Sequence, residues 1–248
     1  MARVPLVLVP GLMCDRAVWA EQIRSVADAA ECHVIEHGLH DSILRMAEAL
    51  LAQAPPLFAL AGHSMGGRVA LEVYRRAPER VRALALLDTG YQPLPEGPSG
   101  EAERAQRAAL LEVAETRGMR AMGERWVQGM VHPERLADLE LIGAILAMIE
   151  RHTPEVFAAQ IRALLGRPDA SGLLATICAP TLVLVGREDG WSPLARHQVM
   201  AQAIPGAQLV VIEHCGHMST MEQPEQVARA LRRWISEIAT EEFSQEAS

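Results

Sequence analysis

The chain has 248 residues, half of them apolar, and carries 23 basic against 31 acidic side chains for a formal charge of −8. That size and composition suit one large domain, or a core with an insertion, and the acidic balance argues against nucleic-acid or anionic-membrane partners, which need a basic face. Every basic residue is Arg, so Schiff-base chemistry, a pyridoxal-phosphate site and a P-loop lysine are excluded together.

The apolar run Val4–Val9 predicts a buried central strand, ended by Pro10-Gly11. The following loop, through Asp15, leads into a helix with Val18, Trp19, Ile23 and Val26 on one face. Pro5, Pro10 and Gly11 interrupt the N-terminal apolar run and no small-residue cleavage site follows, so a secretory leader is not expected. Cys32–Ile35 reads as a second strand. After a His- and Gly-rich loop, Ser42 is placed to cap an amphipathic helix that runs to about Gln53 and is closed by Pro55-Pro56. A third short strand, Leu57–Ala61, runs into Gly62-His63-Ser64-Met65-Gly66-Gly67. Beyond it Val69, Ala70, Val73 and Tyr74 recur at helical spacing among charged residues. Ala83–Leu87, ending at Asp88, is a fourth strand. The order β-α-β-α-β-α-β requires a parallel sheet with helices on both faces.

From about Gln92 the texture changes. Pro93, Pro95, Gly97, Pro98, Ser99 and Gly100 read as a linker, followed by helical stretches at Glu101–Thr116, Met119–Met130, Pro133–Arg151 and Thr153–Leu165. Residues 92–172 are therefore expected to form a helical lid between two core segments, 1–91 and 173–248. The sheet resumes at Thr181–Val185, a helix follows from Pro193 to about Ala203, and Gln208–Ile212 is the last strand. A loop from Glu213 to Met218 opens a closing helix, about Pro224–Ala239, and the polar tail from Thr240 is expected to fray.

Cys14, Cys32, Cys178 and Cys215 lack C-x-x-C spacing and read as reduced, mostly buried thiols of a cytoplasmic protein. No apolar run reaches the roughly 18 residues of a membrane span. Two close histidine pairs, in His37-x-x-His40-Asp41 and His214-x-x-His217, lack a helical frame and a clear third ligand, so no metal is expected. No G-x-G-x-x-G occurs, so no dinucleotide cofactor is expected either.

The chemistry points to Gly62-x-Ser64-x-Gly66. A strand that becomes a helix at one serine forces a strained backbone there and needs small flanking residues. It lifts the hydroxyl above the sheet at the positive end of a helix. Ser64, Asp189 and His217 each follow a predicted strand end, where open parallel sheets bind ligands. Serine needs a base to become a nucleophile, His217 titrates in the right range to be that base, and Asp189 would orient it. Glu188 and Asp88 are weaker candidates for the acid. His214 is a weaker candidate for the base, more suited to a structural hydrogen bond, and Cys215 reads as packing. Backbone N–H groups of Leu12 and Met65 are the expected oxyanion donors. Trp126, Met130, Trp191 and Met218 are candidates for an apolar acyl pocket.

With Pro10-Gly11, Gly62–Gly67, Gly186-Arg187-Glu188-Asp189, Gly216-His217-Met218 and Glu222-x-Pro224 in this order, nearly the whole chain resembles the α/β-hydrolase fold family. The likeness is to its compact bacterial members with a four-helix cap. The resemblance implies a mostly parallel sheet of about six strands, beginning at what is usually the family's third. It also implies a serine hydrolase of small or medium carboxylic esters, with a small-molecule substrate and no cofactor. Acyltransferases, enol-lactone and carbon–carbon hydrolases and perhydrolases share these motifs, and a non-catalytic ligand-binding protein on the same fold is the alternative from a different class. A carrier-protein substrate would favour an arginine-rich lid, whereas Arg104, Arg107, Arg117, Arg120 and Arg125 are matched by Glu. Members usually carry His-Gly where this chain has Pro10-Gly11, which removes a side chain that commonly braces the oxyanion loop.

Overall fold

The computed structural model describes residues 3–246, with side chains described for residues 3–238. Six strands, β1 (Val4–Val9), β2 (Ala30–Val34), β3 (Phe58–His63), β4 (Val81–Leu87), β5 (Thr181–Gly186) and β6 (Gln208–Ile212), form one sheet in the order β2-β1-β3-β4-β5-β6. Every neighbouring pair is parallel. β3, β4 and β5 are almost wholly buried along their length, as strands covered on both faces must be.

The helices follow from this order. The connection from β1 to β2 runs toward one edge and the later connections run toward the other, and right-handed crossovers in opposite directions land on opposite faces. Accordingly α1 (Ala20–Val26) packs on the closing helix, labelled α10 below, while α2 (Ile43–Gln53) packs on α3 (Met65–Arg76). The chain also reverses its direction of strand addition between β1 and β3. That switch point is where the loop after β1 and the turn after β3 meet.

Between β4 and β5 lie α4 (Pro98–Trp126), α5 (Leu139–Glu150), α6 (Pro154–Leu165) and the short α7 (Ser171–Leu174). After β5 come α8 (Leu194–Ala203), the short α9 (Ser219–Glu222) and α10 (Pro224–Glu246).

Several boundaries differ from the sequence expectation. The linker ends early, because Pro98 sits at the first helical turn, where its missing N–H costs nothing. The break expected between two helices at residues 117–118 is present, as a kink in α4 at Gly118, whose non-helical φ of 88° is open to glycine. The single helix expected from Pro133 splits instead into a 3₁₀ turn, Pro133–Ala137, and α5. Asp138 separates them, its carboxylate accepting the Leu141 N–H at 3.0 Å. Ser42 does occupy the position before α2, but its side chain makes no capping bond. Cys14 and Cys215 are buried, whereas Cys178 is exposed and Cys32 half-buried, so the thiols are less enclosed than expected. The helix α10 continues to Glu246, and the expected fraying from Thr240 falls where side chains lie outside the described residues. No helix among the described residues is long and apolar enough to cross a membrane.

Leu60, at the centre of β3, is fully buried, whereas Leu139 at the start of α5 is 84% exposed. Truncating Leu60 to Ala leaves a cavity and is expected to cost about 2–5 kcal/mol in urea denaturation, against less than about 0.5 kcal/mol for Leu139→Ala.

Candidate active site

The turn from β3 into α3 is built without spare room. A Cβ on Gly66 would lie 2.1 Å from the Val9 carbonyl oxygen, and one on Gly62 would lie 2.3 Å from the Gly66 carbonyl oxygen. Between them Ser64 takes φ 55° and ψ −116°, a strained conformation for a residue with a side chain. The turn is held from both sides. The Ser64 N–H donates to Leu87 O at 2.9 Å, and the Thr89 hydroxyl donates to Ser64 O at 2.6 Å. The Ser64 hydroxyl therefore stands above the sheet at the N-terminus of α3.

His217 arrives from the loop after β6 and Asp189 from the loop after β5. His217 Nδ1 lies 2.8 Å from Asp189 Oδ2, and Nε2 lies 2.8 Å from Ser64 Oγ. A carboxylate can only accept, so Nδ1 carries the proton and Nε2 of the neutral ring accepts from the serine hydroxyl. Asp189 is fixed in turn by its other oxygen, which accepts the N–H groups of Trp191 and Ser192, each at 2.8 Å. Burial works against its charge, but His217 and these N–H donors hold its carboxyl below the usual value. Burial also works against a charged His217. The Asp189 carboxylate outweighs it, with help from Asp88 and Glu222, and the imidazole titrates above its ordinary 6.5.

The loop that carries His217 is itself clamped. Its N–H donates to Met130 O at 2.9 Å, and its carbonyl accepts from His63 Nε2 at 2.9 Å. Glu222, buried on α9, accepts the N–H groups of His132, Gly216 and Met218 at 2.7–3.1 Å. His63 is enclosed beneath the serine, and burial pushes it down to about 4, so it stays neutral as a donor. Sequence reasoning gave His63 no role and met Glu222 only as a motif letter. Their positions next to a strand end and a loop end were the available signal.

The other candidates are accounted for by different partners. Asp88 makes no hydrogen bond to His217, and its Oδ2 lies 3.7 Å from His63 Nε2. It accepts the Gly186 N–H at 2.9 Å and the Ser219 hydroxyl, and burial beside Asp189 holds its carboxyl well above the usual range. Glu188 accepts the Cys215 N–H at 2.9 Å. The expected structural bond of His214 is made by its backbone carbonyl, which accepts from Gln223, while its ring meets that of His132 edge-on at 6.0 Å. His132, Glu134 and His214 are a group whose ligand atoms lie within 4.8 Å of one another and could hold a metal. The two histidine pairs considered from sequence do not assemble a site: His37 donates to Pro10 O at 2.9 Å, and His217 is engaged as above. The Cys215 thiol is buried and pushed up, which suits packing.

Leu12, Met65, Trp126, Met130, Trp191 and Met218 line one cleft of about 990 Å³ together with Ser64 and His217. Trp191 lies against the His217 ring with centroids 4.9 Å apart and stacks on Trp126 at 5.3 Å. The Leu12 N–H donates to no acceptor among the described hydrogen bonds, and Met65 is the first residue of its helix, where N–H groups lack intrahelical partners. The bracing side chain missing at Pro10 is replaced from elsewhere. His37 holds the Pro10 carbonyl, and Gln160 on α6 accepts the Met13 N–H at 3.1 Å.

A parallel sheet whose central strand turns into a helix at a strained serine, with a histidine and a carboxylate from the loops after later strands, defines the α/β-hydrolase architecture. The chain belongs to the alpha/beta hydrolase family, whose model matches residues 6–230. It is 26% identical over 233 residues to a pimeloyl-[acyl-carrier protein] methyl ester esterase of Nitrosomonas europaea, covering 89% of this chain and 91% of that protein. Its structure is similar to that of a thermophilic esterase from Thermogutta terrifontis, solved with malate bound. The TM-score is 0.83 at 32% identity, covering 95% of this chain and 90% of the other. An enol-lactonase from Burkholderia xenovorans LB400 shares the fold with a TM-score of 0.83 at 20% identity, covering 95% and 92%.

Replacing Gly66 with Ala puts a carbon inside the Val9 carbonyl and is expected to cost about 3 kcal/mol or more in chemical unfolding, with loss of reactivity at Ser64.

Proposed function

We propose that this protein is a serine hydrolase that cleaves small or medium carboxylic esters through an acyl-enzyme. The observation that carries this reading is the continuous Ser64–His217–Asp189 hydrogen-bond chain, at 2.8 Å per link, opening on the cleft. The esterases among its relatives support it.

In this reading Ser64 Oγ attacks the ester carbonyl as its proton passes to His217 Nε2. The imidazolium that forms is stabilised by Asp189. The carbonyl oxygen becomes an oxyanion that the backbone N–H groups of Leu12 and Met65 stabilise. Collapse breaks the bond to the alcohol, which leaves with the proton from Nε2. Water then attacks the acyl-enzyme, giving its proton to the same nitrogen, and the second collapse releases the acid and restores Ser64. The helices of 92–172 act as a lid. Trp126, Met130, Trp191 and Met218 form the apolar wall for the acyl or alcohol group.

A fluorophosphonate probe should label Ser64, and Ser64→Ala should lower p-nitrophenyl ester turnover by about six orders of magnitude. Undiminished turnover in that variant would sink the reading. The pH profile carries a second test. Only neutral His217 can accept the proton, so kcat/KM should fall as pH drops through a limb lying above 6.5, the ordinary histidine value. Asp189→Asn removes the carboxylate that favours the imidazolium. That limb should then move to lower pH while the plateau falls by about four orders of magnitude.

A further inference from the structure

The wall of the cleft beside Ser64 carries four arginines: Arg68 on α3, Arg107 on α4, Arg167 just after α6 and Arg196 on α8. Among the described residues they share one carboxylate. Glu103 accepts from Arg107 at 2.8 and 2.9 Å and from both terminal nitrogens of Arg167 at 2.8 Å. Asp169 also borders the cleft, where its Oδ1 accepts the Ser171 N–H and hydroxyl rather than an arginine. Among the described residues, no carboxylate is hydrogen-bonded to Arg68 or Arg196. Arg68 Nη1 donates to Gln92 O at 2.8 Å and Arg196 Nη1 donates to Trp191 O at 3.2 Å, which leaves most of the five N–H groups of each without a protein acceptor.

These two guanidinium groups converge on one point. A Cβ on Gly90 would lie 2.6 Å from Arg68 Nη2 and 3.4 Å from both Cδ and Nη1 of Arg196. Only a residue without a side chain leaves that space open. Gly90 follows Thr89, whose hydroxyl holds the Ser64 carbonyl, and Arg196 is tied to Trp191, which lies on the His217 ring. Arg68 is one helical turn beyond Ser64, roughly 6 Å along the axis. Two like charges held together in an enclosed wall repel strongly, and burial with the charges of Arg167 and Arg196 brings Arg68 down to about 9. At neutral pH Arg68 remains charged. As a purely structural arrangement this is poor, because the two backbone carbonyls engage only one N–H of each guanidinium. As a receptor for an anion it is well formed.

We propose that Arg68 and Arg196 form an oxyanion subsite, so that the ester substrate itself carries a carboxylate or phosphate group a short chain away from the scissile carbonyl. The inference rests on the hydrolase reading of Ser64 and narrows its substrate class. The forked guanidinium donors match either group, and the Arg68–Arg196 pair supplies positive charge that no hydrogen-bonded carboxylate among the described residues offsets.

The test compares monomethyl glutarate with dimethyl glutarate, which differ by one negative charge, on the wild type, Arg196→Gln and Arg68→Gln. The wild type should favour the charged ester in kcat/KM, and each substitution should lower the charged-to-neutral ratio by about tenfold to a hundredfold. Arg68 lies on α3 one turn beyond Ser64, so the half-buried Arg196 on α8 keeps the test decisive if Arg68→Gln folds poorly. A wild type that favours dimethyl glutarate, or a ratio unmoved in Arg196→Gln, overturns the subsite and leaves the hydrolase reading standing. If neither ester is turned over and Ser64 resists fluorophosphonate, the hydrolase reading fails. Calorimetric titration of the wild type and Arg196→Gln with glutarate and inorganic phosphate then decides the subsite alone. Binding weakened in the variant supports it, and absence of binding at millimolar concentration overturns it. The tighter of the two ligands identifies the anion.

Discussion

The structure depends on a contact between two stretches of backbone. The start of α3 lies so close to the end of β1 that a single added carbon at Gly66 would overlap the Val9 carbonyl. This proximity forces Ser64 into positive φ, raises its hydroxyl above the sheet, and sets the loop after β1 beside the first N–H of α3. It is possible only because β1 and β3 are adjacent at the point where strand addition reverses. The strain at Ser64 is held by the all-parallel sheet around it and by bonds to Leu87 and Thr89.

Burial sorts the ionisable groups around this turn. Three carboxylates lie under the rim, and each is committed to backbone N–H or hydroxyl donors: Asp189 to the loop after β5, Glu222 to the loop after β6, and Asp88 to both β5 and Ser219. They tie together the loops that bring His217 and Asp189 into line. The histidines divide the same way. His63 and His197 are enclosed without a bonded carboxylate and are pushed down to about 4, so they act as neutral hydrogen-bonding groups. His217 alone among these three rings hydrogen-bonds a carboxylate, and it alone is raised. One residue type thus serves structure or proton transfer according to what stands 3 Å away.

Much of the fold was legible because its signals are local. Apolar runs bounded by Pro and Gly marked all six strands to within a few residues, and the order of strands and helices required a parallel sheet. The helical region was less legible. Periodicity reports that residues 101–165 are helical, and the change of pattern at residues 117–118 fell on the bend at Gly118, but the break at Asp138 inside the stretch from Pro133 was missed, although Asp138 is a good N-cap residue. Ser42 shows the reverse error, a capping residue in a capping position whose side chain makes no capping bond. In the site, Ser64, Asp189 and His217 were readable because each sits just past a strand end. His37, His63 and Gln160 were not, since a partner such as Met13 for Gln160 lies 147 residues away along the chain.

What the sequence by itself determined was the list of parts and their order: six buried strands, a serine at a turn too tight for side chains, and a carboxylate and an imidazole after later strands. These follow from spacing, backbone sterics and the period of apolar residues, all of which act over a few residues. The tertiary structure decided which of several acids meets His217, how the loop after β1 is held without a histidine at position 10, and where unpaired arginines from separate helices converge. Those outcomes depend on distances between segments remote in the chain, and no local pattern encodes a distance across a folded core.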